Sequence, residues 1–205
     1  MKVLIINGSP RTGGNTEVAL AEMKKIFDAE GVEYETVNAG AKPIGGCMAC
    51  QACKSIGKCV MKDIVNETAP KFEAADGVVI ASPVYFASAN GNLISFLDRL
   101  FYSTSFDRSM KVGCAVTVCR RGGNTATFDE LNKYFTISQM PVVSSRYWNM
   151  IHGAAPGEAV QDEEGLATMR TLARNMVFLM RSIALGKEKY GMPEQEPFTV
   201  TNFIR

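Results

Sequence analysis

Short apolar segments alternate along the chain with segments in which apolar residues recur every three or four positions. Four apolar segments have the residue types of buried strands, at 3–6, 77–81, 112–118 and 141–143, and a weaker candidate lies at 33–37. The three- and four-residue spacing predicts helices with one buried face. Buried strands that alternate with such helices predict a parallel sheet covered on both sides. We therefore expect a five-stranded, doubly wound α/β fold.

The helix pattern is clearest at 93–101, where one apolar stripe consists of Leu93, Phe96, Leu97, Leu100 and Phe101. Further helices are expected from position 16, near 64–75, near 125–134, and from about 166 to Gly186, which is placed to end the last helix. We interpret residues 1–205 as a single domain. It contains a cysteine-rich insertion at about 40–62 and an irregular tail from about 187.

The overall composition is that of a soluble globular protein, with 46% hydrophobic and 21% charged residues among 205. The net charge of +1 gives no sign of a nucleic-acid footprint or a polybasic membrane face. No segment has the length of a transmembrane helix, and the apolar run at 3–6 is too short for a secretion signal. We expect a cytoplasmic protein whose thiols stay reduced.

The loop after the first predicted strand has the composition of an anion site. Residues 8–16 read Gly-Ser-Pro-Arg-Thr-Gly-Gly-Asn-Thr and lead into a helix. Backbone N–H groups and the helix dipole favour negative charge at such a position. The Gly-Lys-Ser/Thr ending of a nucleotide P-loop and the Gly-x-Gly-x-x-Gly dinucleotide pattern are both missing. The loop therefore suits a terminal phosphate, such as that of FMN, held by hydroxyls, amides and Arg11.

Two further loops belong to the same edge of the predicted sheet, because ligands of doubly wound folds bind at the carboxyl ends of the strands. Ser-Pro-Val-Tyr-Phe at 82–86 follows the third strand, and Arg-Arg-Gly-Gly-Asn at 120–124 follows the fourth. The first of these can present backbone N–H groups and an aromatic face to a flat ligand. A cation in the second would stabilise a reduced, anionic flavin.

Four of the six cysteines are crowded into one short stretch, as Cys47, Cys50, Cys53 and Cys59. Three thiolates spaced by two residues can hold one side of an iron-sulfur cubane, as in bacterial ferredoxins. The gap before Cys59 is longer than in that pattern, and Val60 replaces its proline. The spacing favours a [4Fe–4S] cluster, while thiols that bind nothing and a structural zinc ion remain as alternatives.

The loop at 8–16 after the first strand and the Ser-Pro-Val-Tyr-Phe segment after the third resemble the NADPH-dependent FMN reductase group of flavodoxin-like proteins. With the four-cysteine loop after the second strand, the chain resembles the iron-sulfur flavoproteins more narrowly. The resemblance implies the flavodoxin-like strand order 2-1-3-4-5 and homodimers or homotetramers. It also implies a set of FMN contacts: the phosphate at Ser9, Arg11, Asn15 and Thr16, and the isoalloxazine ring at Pro83, Val84, Tyr85 and Phe86. From their place after the fourth strand, Arg120, Gly122 and Gly123 are expected on the same rim.

We therefore expect an FMN-dependent oxidoreductase that passes electrons between FMN and a [4Fe–4S] cluster. No side chain is assigned a catalytic role, because the cofactors carry the chemistry. The electron donor is NAD(P)H or a protein such as ferredoxin. Two alternatives stay open: a cluster-free NAD(P)H-dependent FMN or quinone reductase, and a non-enzymatic electron carrier.

The position of the cysteine loop predicts an assembly. It follows the second strand, which in the flavodoxin-like order lies on the far side of the first strand from the third. A cluster there would lie far from the flavin of its own chain, so we expect a neighbouring subunit to supply the nearer flavin. The apolar stripe at 93–101 and the tail are candidate contacts. His152, Cys114 and Cys119 receive no functional role.

Overall fold

A single parallel sheet of five strands forms the centre of the protein, whose computed structural model describes residues 1–197 and 199–201. The strands are β1 (Lys2–Asn7), β2 (Glu33–Asn38), β3 (Gly77–Pro83), β4 (Val112–Cys119) and β5 (Met150–His152). All neighbours pair in parallel, in the order β2-β1-β3-β4-β5. This order confirms the doubly wound, flavodoxin-like prediction.

Helices cover both faces of the sheet. They are α1 (Asn15–Ala29), α2 (Cys53–Ile56), α3 (Ile64–Ala74), α4 (Gly91–Ser103), α5 (Asn124–Thr136) and α6 (Glu163–Tyr190), with a 3₁₀ turn at Glu158–Gln161. Successive residues of β1 serve opposite faces, as the period of two in a strand requires. Val3 and Ile5 pack with α1 and α6, whereas Leu4 and Ile6 pack with α3, α4 and α5.

The prediction of a fifth strand at 141–143 is wrong. Val142 forms only an isolated parallel bridge with Gly113, while Met150–His152 pairs with residues 117–119 at the carboxyl end of β4. An apolar run of three residues fits several positions along the same sheet edge, so residue type alone does not distinguish them. The correction matters because it moves the fifth strand, and the loop after it, to the ligand-binding edge.

Gly186 does not end the last helix, contrary to the prediction. Helix α6 continues to Tyr190, and Gly191 follows it with a φ of +77°. Nothing lies within 4 Å of the position where a Cβ of Gly186 would stand, so this glycine marks no close packing. The irregular tail starts at 191 instead of about 187, and its residues 198 and 202–205 lie outside the described part of the chain.

The apolar stripe of α4 belongs to the core. Leu93, Phe96, Leu97 and Leu100 are completely buried against the sheet, and Tyr102 beyond them is 52% exposed. The stripe is therefore explained by packing within one chain and leaves little apolar surface for a partner. Among the described residues, no helix combines the length and the hydropathy that crossing a membrane requires.

Candidate functional site

A groove with about 600 Å³ of empty space opens at the carboxyl ends of β1, β3, β4 and β5. Its lining comes from four loops and consists of Ser9, Arg11, Gly14, Asn15, Thr16, Pro83, Val84, Tyr85, Val118, Cys119, Arg120, Gly153, Ala154 and Pro156. The structure thus brings together all the predicted flavin contacts except Phe86, Gly122 and Gly123. These residues are far apart in sequence, and the sheet order is what makes them neighbours.

The first loop forms a polar pocket at the N-terminus of α1. The Ser9 N–H donates to the Asn7 side chain at 2.9 Å, and the Ser9 hydroxyl accepts from the Arg11 N–H at 3.2 Å. Gly14 precedes the helix, and no described side chain caps it. The first N–H groups of α1 therefore remain available to an anion in the groove. Arg11 is exposed, and its guanidinium makes no hydrogen bond with another described residue.

Asn15 also holds the loop after β5, a role that was not predicted from the sequence. Its side-chain amide donates to the Ala155 carbonyl at 3.0 Å, and its carbonyl oxygen accepts from the Ala159 N–H at 3.0 Å. Both polar atoms of the side chain thus hold the loop after β5 against α1. A Cβ on Gly153 would stand 2.8 Å from the same amide nitrogen, so glycine permits this close approach. Asn15 shapes the groove by fixing one of its walls.

A tight turn after β3 carries the predicted aromatic residues. Tyr85 and Ser88 exchange backbone hydrogen bonds of 2.9 and 3.0 Å, and the residues between them, Phe86 and Ala87, have φ angles of +50° and +60°. The Glu130 carboxylate accepts from the Ser88 hydroxyl and holds the turn against α5. Tyr85 lines the groove, whereas Phe86 is fully exposed at the tip of the turn and does not. Backbone strain at functional turns is common.

The two glycines after β4 support this turn without lining the groove. Gly123 precedes α5 with a φ of +91°, and a Cβ there would lie 2.9 Å from the Ala87 Cα and the Val84 Cγ1. Gly122 has open space around it. Arg120 lines the groove, while its exposed neighbour Arg121 does not. The structure therefore distinguishes the two arginines, which the sequence did not.

Several residues that line the groove were not predicted from the sequence. Gly153, Ala154 and Pro156 follow β5, and a correct placement of that strand would have pointed to them by the rule that loops after parallel strands bind ligands. Cys119 is the other surprise, since it is buried yet lines the groove. Burial raises the pKa of the Cys119 thiol above its ordinary value, so it contributes a neutral wall at pH 7.

The remaining residues without an assigned role are structural. Cys114 is completely buried, with its Sγ 3.9 Å from the Met176 Sδ. The Nδ1 of His152 lies 3.3 Å from an Asp162 carboxylate oxygen, and its Nε2 lies 3.3 Å from the side-chain nitrogen of Asn124. The histidine thereby links β5 to the starts of α5 and α6.

A second cavity, with about 350 Å³ of empty space, is lined by all four clustered cysteines. Cys47 and Cys50 are exposed, while Cys53 and Cys59 are half-buried. Cys53 begins the short helix α2, and Gly57 ends it with a φ of +71°, which returns the chain so that Cys59 reaches the same cavity. The turn at Gly57 thus accommodates the longer gap between Cys53 and Cys59.

The four thiols have the number and chemistry that an iron-sulfur cluster requires, since such clusters are held by four cysteine thiolates. Among the described residues, no three His, Cys, Asp or Glu side chains are grouped so that they could hold a single metal ion. The second observation concerns a single bound ion and the first a bound cluster. A cubane is bulkier than an ion, and its thiolates surround a cavity. The donor set therefore fits a cluster.

The cysteine cavity also contains a residue that the sequence analysis overlooked, Arg99 of α4. Its side chain is 1% exposed and forms an ion pair with Asp63, with 2.7 Å between Nη1 and Oδ2. The signal was its position, three residues after the core residue Phe96 on a helix with an apolar stripe. A charged residue in a buried helical position needs a partner.

Comparisons with known proteins agree with this geometry. The profile of NADPH-dependent FMN reductases matches residues 1–155. An iron-sulfur flavoprotein of Methanocaldococcus jannaschii is 35% identical over 191 residues, 89% of this chain and 99% of that protein. Another, of Methanosarcina thermophila, is 30% identical over 193 residues, 92% of this chain and 100% of that protein.

The fold has counterparts among solved structures. A flavodoxin from the domain Archaea superposes with a TM-score of 0.61 at 13% identity, covering 88% of this chain and 99% of that chain. This likeness shows the fold alone, and the sequence matches show the family. The chain therefore belongs to the family of NADPH-dependent FMN reductases and is a flavin-dependent oxidoreductase of flavodoxin-like fold.

Proposed function

We propose that the groove binds FMN, with the phosphate at the N-terminus of α1 and the ring between the loops after β3 and β4. One observation carries this proposal: a single groove collects eight of the eleven contacts predicted from sequence, from three separate loops. Ser9 and Thr16 offer hydroxyls to the phosphate, and Arg11 offers a positive charge. These groups meet at a helix end that no described side chain caps.

FMN, when bound, supplies the redox chemistry, and the chain binds, orients and tunes it. Tyr85 and Val84 form one wall beside the ring. Arg120 lies on the rim of the same groove, where its charge stabilises the negative charge that a reduced flavin carries. Gly123 and Glu130 hold the aromatic turn in place through its backbone and Ser88.

The phosphate site is tested by replacing Arg11 with glutamine and titrating the apoprotein with FMN and riboflavin. Loss of one charged phosphate contact weakens FMN binding by about tenfold, or about 1.4 kcal/mol, and leaves riboflavin binding unchanged. Arg174→Gln, at an exposed position of α6, is the matched control. Equal weakening of FMN and riboflavin would contradict the assignment of Arg11 to the phosphate.

We further propose that Cys47, Cys50, Cys53 and Cys59 hold a [4Fe–4S] cluster that exchanges electrons with FMN. The support is the shared cavity, together with the names of the two relatives, both iron-sulfur flavoproteins. Iron and acid-labile sulfide are measured after anaerobic purification, with Cys50→Ser as the test and Cys114→Ala as the control. Equal iron in both variants would remove the cluster from this loop.

A cluster-free NAD(P)H-dependent FMN or quinone reductase is the second candidate. It is supported by the family profile, which describes NADPH-dependent FMN reductases. FMN without iron in anaerobically purified protein would select it. NAD(P)H as donor is supported by the family, and ferredoxin is the alternative donor. Failure of purified protein to oxidise NAD(P)H would instead favour a non-enzymatic electron carrier in the cytoplasm.

We propose, finally, that the working form is a homodimer or homotetramer in which the cluster of one chain faces the flavin of another. The two cavities share no lining residue, so the sites of one chain are separate. Exposed apolar side chains line the cysteine cavity, namely Met48, Val60 and Tyr102. A second copy that covers this rim would bury apolar surface and shield the cluster from water.

A further inference from the structure

Arg99 connects three parts of the cysteine loop through one guanidinium group. Its Nε and Nη2 each donate to the Cys59 Sγ at 3.3 Å. Nη1 and Nη2 form a bidentate ion pair with the Asp63 carboxylate at 2.7 and 2.9 Å. The same group donates to the Gly45 carbonyl at 3.2 Å and to the Met61 carbonyl at 3.4 Å. One side chain therefore contacts the loop before, within and after the cysteine run.

The backbone of Cys59 is held as firmly as its thiol. The Asn66 side chain accepts from the Cys59 N–H at 3.1 Å and donates to the Cys59 carbonyl at 2.9 Å. Cys47 and Cys50 are exposed, and no hydrogen bond to either sulfur is found within the described residues. The four thiols thus differ, because one corner of the site is fixed in advance and the others are not.

The charge arrangement points to a function beyond packing. A fully buried arginine is tolerated only with partners for its charge and its donors. Asp63 neutralises the charge with two N–H groups, and an arginine needed only for that pair could leave its remaining donors on backbone carbonyls. Here Nη1 also donates to the Gly45 carbonyl, but Nε and Nη2 both converge on the Cys59 sulfur, with the Met61 carbonyl as a longer contact of Nη2. Hydrogen bonds to sulfur are a recognised determinant of iron-sulfur potentials.

We propose that Arg99 is a positioning residue for the cluster: it fixes the Sγ of Cys59 and raises the reduction potential through its N–H···S contacts. The inference rests on the proposed cluster. Reduction adds negative charge to the cluster and its thiolates, so N–H groups that donate to one sulfur stabilise the reduced form more than the oxidised form. Removing these donors makes the cluster harder to reduce.

The test uses anaerobically purified full-length protein and the variants Arg99→Lys and Arg99→Met. Lysine keeps the charge, but its single ammonium group cannot form a bidentate pair with Asp63 and also donate to the Cys59 Sγ. Each protein is analysed for FMN, iron and sulfide, and the cluster potential is measured by a redox titration followed by EPR. We expect Arg99→Met to lower the equilibrium constant for reduction of the cluster at least tenfold. For a one-electron step this is a reduction potential about 59 mV more negative. Arg99→Lys should give a smaller shift of the same sign.

Two controls separate the possible results. FMN content reports whether each variant folds, and Arg174→Lys changes an exposed arginine of α6 that should leave the potential unchanged. If Arg99→Met does not fold, Arg99→Lys alone decides the question. A lower iron content with an unchanged potential in the remaining clusters would overturn the proposal and leave Arg99 as a structural residue. Wild-type protein with FMN but without iron and sulfide would instead overturn the cluster itself.

Discussion

At the scale of single residues, neighbouring side chains of the same type have different surroundings, and the differences can be tested. Gly122 and Gly123 are adjacent, yet only Gly123 combines a φ of +91° with a Cβ position 2.9 Å from Val84 and Ala87. We expect Gly123→Ala to lower the free energy of unfolding by about 1–3 kcal/mol. It should also weaken FMN binding, because the turn that carries Tyr85 must move.

Gly122→Ala is the matched control, since nothing lies within 4 Å of its Cβ position. Urea unfolding and FMN titration of both variants provide the measurements. Equal effects of the two substitutions would show that the turn does not depend on close approach at Gly123.

The arginines after β4 form a second matched pair. Arg120 lines the groove and Arg121 does not, although both are exposed. Arg120→Gln should shift the potential of bound FMN to a more negative value, because it removes positive charge beside the reduced flavin. Arg121→Gln should change the potential less. A spectroelectrochemical titration of each holoprotein is the measurement, and a larger shift for Arg121→Gln would reverse the assignment.

At the scale of the elements, Glu22 joins α1 to α6. Its carboxylate is 11% exposed, pairs with Lys25, and accepts from the Arg170 guanidinium at 2.7 Å. Burial alone would raise the pKa of Glu22, but the hydrogen bonds and charges of Lys25 and Arg170 outweigh it and hold the pKa below its ordinary value. A lowered carboxyl pKa stabilises the fold above the unfolded pKa, and this stabilisation is lost as pH falls through the folded value.

We therefore expect Glu22→Gln to lower the free energy of unfolding by about 1–2 kcal/mol at pH 7. The difference from wild type should shrink below about pH 4.3, the ordinary glutamate pKa. Urea unfolding across this pH range checks it, with the exposed Glu188→Gln of α6 as control. A difference that stays constant with pH would show that the ionised carboxylate does not connect the two helices.

The strands of the sheet, except the fifth, could be predicted from the sequence. Three strands were predictable because runs such as 77–81 and 112–118 are mostly apolar and bounded by turn residues, and the more polar β2 gave a weaker signal at 33–37. The fifth strand was not, because Met150–His152 has three residues and only partly buried ends, which produces no periodic signal. The groove loops after β1, β3 and β4 were predicted from the fold rule and the family resemblance, whereas Gly153 and Ala154 were missed together with the strand that precedes them.

The cysteines of the second cavity could likewise be predicted from the sequence, but Arg99 could not. The spacing of Cys47 to Cys59 predicted one shared cavity, because local turns bring residues that close in sequence together. Arg99 follows Cys59 by forty residues, and only the packing of α4 against the loop brings the two into contact. A long-range partner of this kind has no local signal beyond an unexpected charge in a buried stripe.

At the scale of the whole molecule, the separation of the two cavities predicts an assembly. Sedimentation velocity of the holoprotein should show a homodimer or a homotetramer. Tyr102→Glu and Met48→Glu place charge in the exposed apolar rim of the cysteine cavity and should weaken that assembly and slow electron transfer from FMN to the cluster. Ile137→Glu, at an exposed apolar residue after α5, is the control. A monomer with full electron transfer would contradict this arrangement.

We propose that each chain binds FMN and a [4Fe–4S] cluster, and that electrons pass between the two kinds of cofactor within the assembly. An anaerobic reductive titration of the purified protein, followed by visible absorbance and EPR, tests it most directly. We expect about three electron equivalents per chain, two for the flavin and one for the cluster, with both signals changing in the same titration. Two equivalents with a flavin signal alone, in protein that lacks iron, would contradict it.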